Sequence, residues 1–152
     1  MSKKIDLDSI SRRYNKPEES PGYLLLVVSN MWQKNLRDSL TDLGITPDQF
    51  VLLAHLARLT SDGDPISQMD LAHYVMMDKT MVSELLGTLE RKGLIIRMRH
   101  PYDKRANSLV VTDNGITIVE DALERVDSAN NRFFSAIGDD VNSLVEILRK
   151  FL

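Results

Sequence analysis

The chain of 152 residues contains no cysteine. That absence excludes a disulfide framework, thiolate zinc sites, a cysteine nucleophile and cysteine-based redox sensing. It is compatible with a reducing compartment without requiring one. Long apolar runs are missing as well. The longest, Tyr23 to Val28, falls far short of the roughly 18 residues that span a bilayer. The opening "MSKKIDLDSI" lacks the apolar centre of a signal peptide. These features predict a cytoplasmic protein with no membrane partner. Also absent are a phosphate-binding glycine loop, a nucleophile elbow and a His–Glu zinc motif, so neither catalytic residues nor a cofactor are expected. His55, His73 and His100 lie too far apart for a local metal motif.

What is present describes a soluble globular chain, 43% apolar and 27% charged. The net charge of −3 is unevenly spread. Between residues 79 and 105, seven basic side chains (Lys79, Arg91, Lys92, Arg97, Arg99, Lys104, Arg105) oppose Glu84, Glu90 and Asp103. One segment of charge +4 therefore sits in a body of charge −7, and for a nucleic-acid binder the distribution outweighs the total.

Local grammar gives the element order. Residues 1–20 hold apolar Ile5, Leu7, Ile10 and Tyr14 ahead of the polar break "NKPEESP", and read as a short helix or arm. Apolar positions recur at helical spacing from Gly22 to Leu43 and stop at Gly44. In "ITPDQF", Thr46 stands at an N-cap, Pro47 at the first helical position and Gln49 three residues after the cap, with Ile45 and Phe50 able to staple. "ISQMDL" repeats the pattern with Ser67 and Asp70. That helix must be short, because Asp78 reads as the next cap. The helix it starts, over 79–92, buries Val82, Leu85, Leu86 and Leu89 and ends at Gly93. The period then changes. "LIIRMRH" and "ANSLVVT" flank a loop with Pro101 and Asp103 and form a β-hairpin. Thr112 caps a long helix with Ile116, Val119, Leu123, Val126 and Phe133 along its apolar stripe. Gly138 breaks it, and Asp139 or Asp140 opens a last helix.

A short helix, a tight turn, a second helix and a hairpin compose a winged helix-turn-helix. The outward positions of the second helix are Thr80, Ser83, Glu84, Gly87, Thr88 and Arg91, one continuous stripe of short, hydrogen-bonding side chains suited to base edges. An ordinary solvated face is the alternative. First-turn amides at Lys79 and Thr80 offer a positive helix end to a phosphate. In the wing, Arg97 and Arg99 share one side of their strand, opposite Ile96 and Met98. Lys104 and Arg105 stand near its tip, where Asp103 can orient Arg105 for a minor groove.

The run from "ITPDQFVLLAHLARL" through "ISQMDLAHYVMMDKTMVSELLGTLERKGLIIRMRHPYDKRANSLVVTDNG" resembles the winged helix-turn-helix of MarR-type transcriptional regulators. Its marks are "DKTMVS", "LERKGLI", the wing's "DKRA" and "LVVTDNG", in that order and spacing, over about residues 45–115. The resemblance implies a mainly α fold with a small β-hairpin wing: a DNA-binding lobe at 45–112 and dimerisation helices at 1–44 and 113–152, all in a single domain. It implies a homodimer on a pseudo-palindromic site in double-stranded DNA, acting as a repressor released by a ligand. The DNA-binding candidates are Ser67, Gln68, Lys79, Thr80, Met81, Ser83, Glu84, Thr88, Arg97, Arg99, Lys104 and Arg105, with Asp103 orienting the wing. Family members answer to small aromatic effectors, for which Trp32 and His55 are candidate pocket walls; simple packing is the alternative for both. Glu84 departs from the family's usual basic residue, Gly87 from a polar or charged one, and "YVMMD" lacks the common glycine.

Seven methionines read as soft core filling, with nothing in the sequence to support oxidation sensing. Phe133 and Phe134 read as dimer core. The rival function is a winged-helix protein-interaction module without DNA binding. Against it stands the +4 segment beside the donor-rich stripe, where a protein-binding groove would show apolar anchors.

Overall fold

The computed structural model describes residues 16–99, 101–102 and 107–152. The arm read at residues 1–15 lies outside them, as do His100 and the wing residues Asp103, Lys104 and Arg105. The chain divides into two compact units, Met1–Lys34 and Asn35–Leu152.

Helix α1 runs Pro21–Leu40, followed by a 3-10 turn at Thr41–Leu43. Gly44 closes it at φ 66°, its N–H donating to the Thr41 carbonyl at 3.0 Å. This left-handed conformation is one that a residue with a Cβ adopts only at a cost. Helix α2, Pro47–Leu59, opens on the expected reciprocal cap. The Gln49 amide donates to Thr46 Oγ1 at 3.2 Å, and the Thr46 amide to Gln49 Oε1 at 3.3 Å. Helix α3, Gln68–Val75, opens the same way on Ser67 and Asp70. Helix α4, Lys79–Arg91, opens on Asp78.

The wing strands are β2, Ile95–Arg99, and β3, Asn107–Val111, antiparallel with Arg97 opposite Leu109. A third strand was not foreseen. Ile66–Ser67 forms β1 and pairs with β3, Ile66 opposite Leu109, giving the order β1-β3-β2. The hairpin is thus the larger part of a small sheet, which ties the entry to α3 directly to the wing.

Leucines form the core of the Asn35–Leu152 unit. Leu52, Leu53 and Leu56 of α2 meet Leu71 of α3, Val82, Leu86 and Leu89 of α4, and Ile95 and Leu109 of the sheet, all buried. Methionine is missing from the buried side chains among the described residues, which overturns its reading as core filling. Branched and γ-branched apolar chains have fewer rotamers to lose, and here they fill the space without it.

Helix α5, Asp113–Phe134, corrects another expectation. Its buried stripe is Gly115, Val119, Ala122, Val126 and Ala129, whereas Ile116 and Leu123 are exposed. Small residues bring this helix close to its neighbours. A Cβ at Gly115 would collide with the Leu94 carbonyl and the Val111 side chain. Thr112 seals the same junction: its hydroxyl donates to the Gly93 carbonyl at 2.7 Å and accepts from the Gly115 amide at 3.1 Å. Gly138, at φ 52°, breaks the chain ahead of α6, Val141–Arg149. Asp140 stands at that start without a side-chain cap bond. No helix among the described residues is long and apolar enough to cross a membrane.

Candidate nucleic-acid interface

Helix α4 presents the stripe read from the sequence. Thr80, Ser83, Glu84 and Arg91 are exposed and Gly87 and Thr88 half-buried, over a floor of buried Val82, Leu86 and Leu89. Leu85, assigned inward, is only half-buried. Two side chains of the stripe are pre-ordered. Arg91 Nη2 donates to Thr88 Oγ1 at 2.8 Å, and that hydroxyl donates to the Glu84 carbonyl at 3.1 Å. Arg91 is thereby held along the helix, over a face of small donors.

The start of α4 differs from expectation. Asp78 Oδ1 accepts from the amides of Thr80 at 2.8 Å and Met81 at 3.3 Å. The Met81 amide first, then that of Thr80, holds the Asp78 carboxyl below the usual carboxylate range. Of the two amides expected to meet a phosphate, those of Lys79 and Thr80, the carboxylate already takes that of Thr80, and it adds a negative charge. What remains for DNA at this end is mainly side-chain chemistry, the Lys79 ammonium and the Thr80 hydroxyl, both exposed.

The cationic segment separates into two groups. Lys92, though exposed, reaches back to the start of α2. Its Nζ donates to the Gly44 carbonyl at 2.6 Å and to Gln49 Oε1 at 2.9 Å. Gln49 is buried, and its oxygen serves both the α2 cap and this lysine. Arg97 is engaged as well. Its Nε meets Glu90 Oε2 at 3.1 Å and its Nη1 donates to Gln68 Oε1 at 3.2 Å. Arg97 and Gln68 were both expected at DNA; the structure makes them a strut joining β2 to α3 and α4. Ser67 Oγ is occupied by Asp70 at 2.6 Å, so it too serves its helix. Arg99 is exposed, and Met81 is partly so. Lys104, Arg105 and the orienting Asp103 lie outside the described residues.

The two pocket candidates fall in different units. Trp32 is half-buried on α1 in the unit that ends at Lys34. His55 Nδ1 is 2.8 Å from the Val51 carbonyl, which orients the ring. That ring lines a shallow cleft between α2 and α5 with Ala54, Arg58, Val119 and Leu123. Among the described residues no group of three or more His, Asp or Glu side chains could hold a metal ion. Sequence reasoning missed the Gln49–Lys92 and Gln68–Arg97–Glu90 links because each joins residues distant in the chain. The only local signal was Gln49 in its cap.

The sequence profile of the MarR family matches residues 45–106. An uncharacterized HTH-type transcriptional regulator of Bacillus subtilis, YdcH, is 36% identical over 124 residues, covering 82% of this chain and 84% of its own. Among solved structures, a mutant MarR from E. coli complexed with operator DNA is similar at a TM-score of 0.80 and 26% identity, over 93% of this chain and 99% of that one. CouR from Rhodococcus jostii RHA1, bound to p-coumaroyl-CoA, is similar at a TM-score of 0.77 and 27% identity, over 91% and 95%.

Proposed function

The chain belongs to the MarR family of transcriptional regulators, and from that premise we propose that it binds duplex DNA as a homodimer, in the cytoplasm, and represses until a small ligand releases it. The observation that carries this reading is the α4 stripe, an exposed row of short donors with Arg91 held along it. Ser83 and Thr88 are short enough for α4 to approach base edges closely in a major groove. Exposed Arg99, with Lys104 and Arg105 beyond it in the sequence, supplies cations for the adjoining minor groove and backbone. Glu84 can accept from a cytosine amino group, which gives it a discriminating role.

Dimerisation is supported by apolar surface left open in the single chain. Leu24, Leu25, Leu26 and Val28 are exposed on α1, and Val145, Ile147, Leu148 and Phe151 are exposed on and after α6. Monomeric proteins rarely leave such patches uncovered. The ligand reading rests on the cleft beside His55, whose apolar walls and nearby Arg58 suit a small aromatic effector of the kind CouR carries in part of its ligand.

Selection of duplexes from a random or genomic pool by the full-length protein, at two salt concentrations, tests the proposal. A pseudo-palindrome with half-sites about one helical turn apart is expected. With three to four cations per subunit at phosphates, the log–log salt slope should be about −5 to −7. Enrichment of no sequence at either salt concentration would overturn DNA recognition and favour a protein-binding winged helix.

A further inference from the structure

With no methionine in the core of the described residues, every described methionine except Met31 of α1 lies instead in the recognition lobe. Met69 and Met76 are the most open of the described methionines, 65% and 74% exposed. With half-buried Met77 they line one groove, whose other walls include His73, Tyr74 and Lys79, the first residue of α4. Met76 also occupies the left-handed region, at φ 53° and ψ 34°, as the C-cap of α3. Glycine or asparagine would take that conformation with less strain. A long thioether there neither fills the core nor eases the turn, so packing does not account for it.

We propose that the Met69–Met76 groove is an oxidation-responsive site through which peroxide or hypochlorous acid weakens DNA binding. A sulfur lone pair attacks the oxidant's oxygen, and the O–O or O–Cl bond breaks as the S–O bond forms. The thioether loses two electrons to become a sulfoxide, and the oxidant is reduced to water, or to chloride and a proton. Both residues are exposed to a small oxidant, and the chain has no thiol to compete for it. The product is a strong hydrogen-bond acceptor in a groove walled by Lys79. The ammonium, with three donors, turns to the sulfoxide oxygens and away from a DNA phosphate. The proposal rests on the DNA-binding reading given above.

The test treats the full-length protein with hydrogen peroxide or hypochlorous acid and maps oxygen addition by peptide mass spectrometry. Affinity for the selected duplex is followed across salt. Met69 and Met76 should gain oxygen before half-buried Met77, and affinity should fall about tenfold. Withdrawal of one phosphate cation per subunit should flatten the salt slope by roughly 2 for the dimer. A mixture of the two methionine sulfoxide reductases, one for each epimer, should restore binding. The Met69→Leu/Met76→Leu protein should bind like wild type and keep its affinity under oxidant. Unchanged affinity of the oxidised wild type would overturn the proposal. So would a double variant that loses as much as wild type, which would place the effect at exposed Met31, Met81 or Met98. Absence of duplex binding before oxidant is added would instead remove the DNA-binding reading itself, a failure the untreated control isolates.

Discussion

Replacing Arg97 by glutamine separates two roles that a basic residue on a wing can hold. In the structure its guanidinium is 3.1 Å from Glu90 and 3.2 Å from Gln68, so it acts as a strut and its charge is already matched. Two unit charges about 4 Å apart attract by roughly 4 kcal/mol at an effective dielectric of 20. Here the side chains are 29% and 42% exposed, so solvent screening and side-chain entropy reduce the net value to about 0.5–1 kcal/mol. The neutral-acceptor bond to Gln68 adds about 1 kcal/mol. Arg97→Gln should therefore destabilise the lobe by about 1–2 kcal/mol in urea unfolding. A double-mutant cycle with Glu90→Gln should return a coupling of about 0.5–1 kcal/mol. Binding then discriminates between the roles. With Arg97 held by Glu90 in the complex as in the free chain, its loss should leave the salt slope unchanged while lowering affinity through a displaced wing. Arg99→Gln should flatten the slope by about 2 for the dimer, with stability intact. Glu90→Gln frees the Arg97 charge and should steepen the slope. Equal flattening by Arg97→Gln and Arg99→Gln would refute the strut, showing that Arg97 leaves Glu90 for DNA on binding.

Ser83→Ala should change sequence preference in a duplex selection more than it changes the salt slope, since the proposed docking of α4 turns its uncharged hydroxyl to base edges. Gly115→Ala should destabilise by about 1–3 kcal/mol in denaturant unfolding, because α5 must back away from the Leu94 carbonyl; a wild-type midpoint would contradict that close approach. Asp78 has a folded-state pKa lowered by the Met81 and Thr80 amides. Its contribution to stability is thus present above the unfolded pKa and lost as pH falls through the lower folded value. Asp78→Asn, which keeps the cap acceptor but cannot titrate, should flatten the acid limb of a stability–pH curve relative to wild type.

Helix starts were the most legible part of the fold. Thr46, Ser67, Asp78 and Thr112 all stand at the helix starts where they were read as caps, because a cap is decided within four residues. Strand β1 was illegible for the opposite reason: two residues, Ile66 and Ser67, become a strand only through β3, some forty positions later. The α5 stripe misled because periodicity was sought among large apolar residues, while Gly115, Ala122 and Ala129 form the close contact. At the interface the α4 stripe followed from periodicity, but the fate of each cation did not. Nothing local in "LERKGLIIRMR" says that Lys92 turns to Gly44 and Gln49, or that Arg97 meets Glu90, while Arg99 stays exposed.

The Lys92 anchor makes α4 a lever. Its C-terminal end is pinned to the α1–α2 turn through Gly44 and Gln49, whereas its N-terminal end reaches solvent at Lys79. Thirteen helical residues give an arm of about 20 Å at 1.5 Å per residue. A tilt of only about 5° at the pivot would swing the far end by roughly 1.7 Å, more than half the length of an N–H···O hydrogen bond of about 2.9 Å. The buried Val82 near that far end would have to shift with it, so a change in core packing beneath α4 would be felt at the tip that meets DNA.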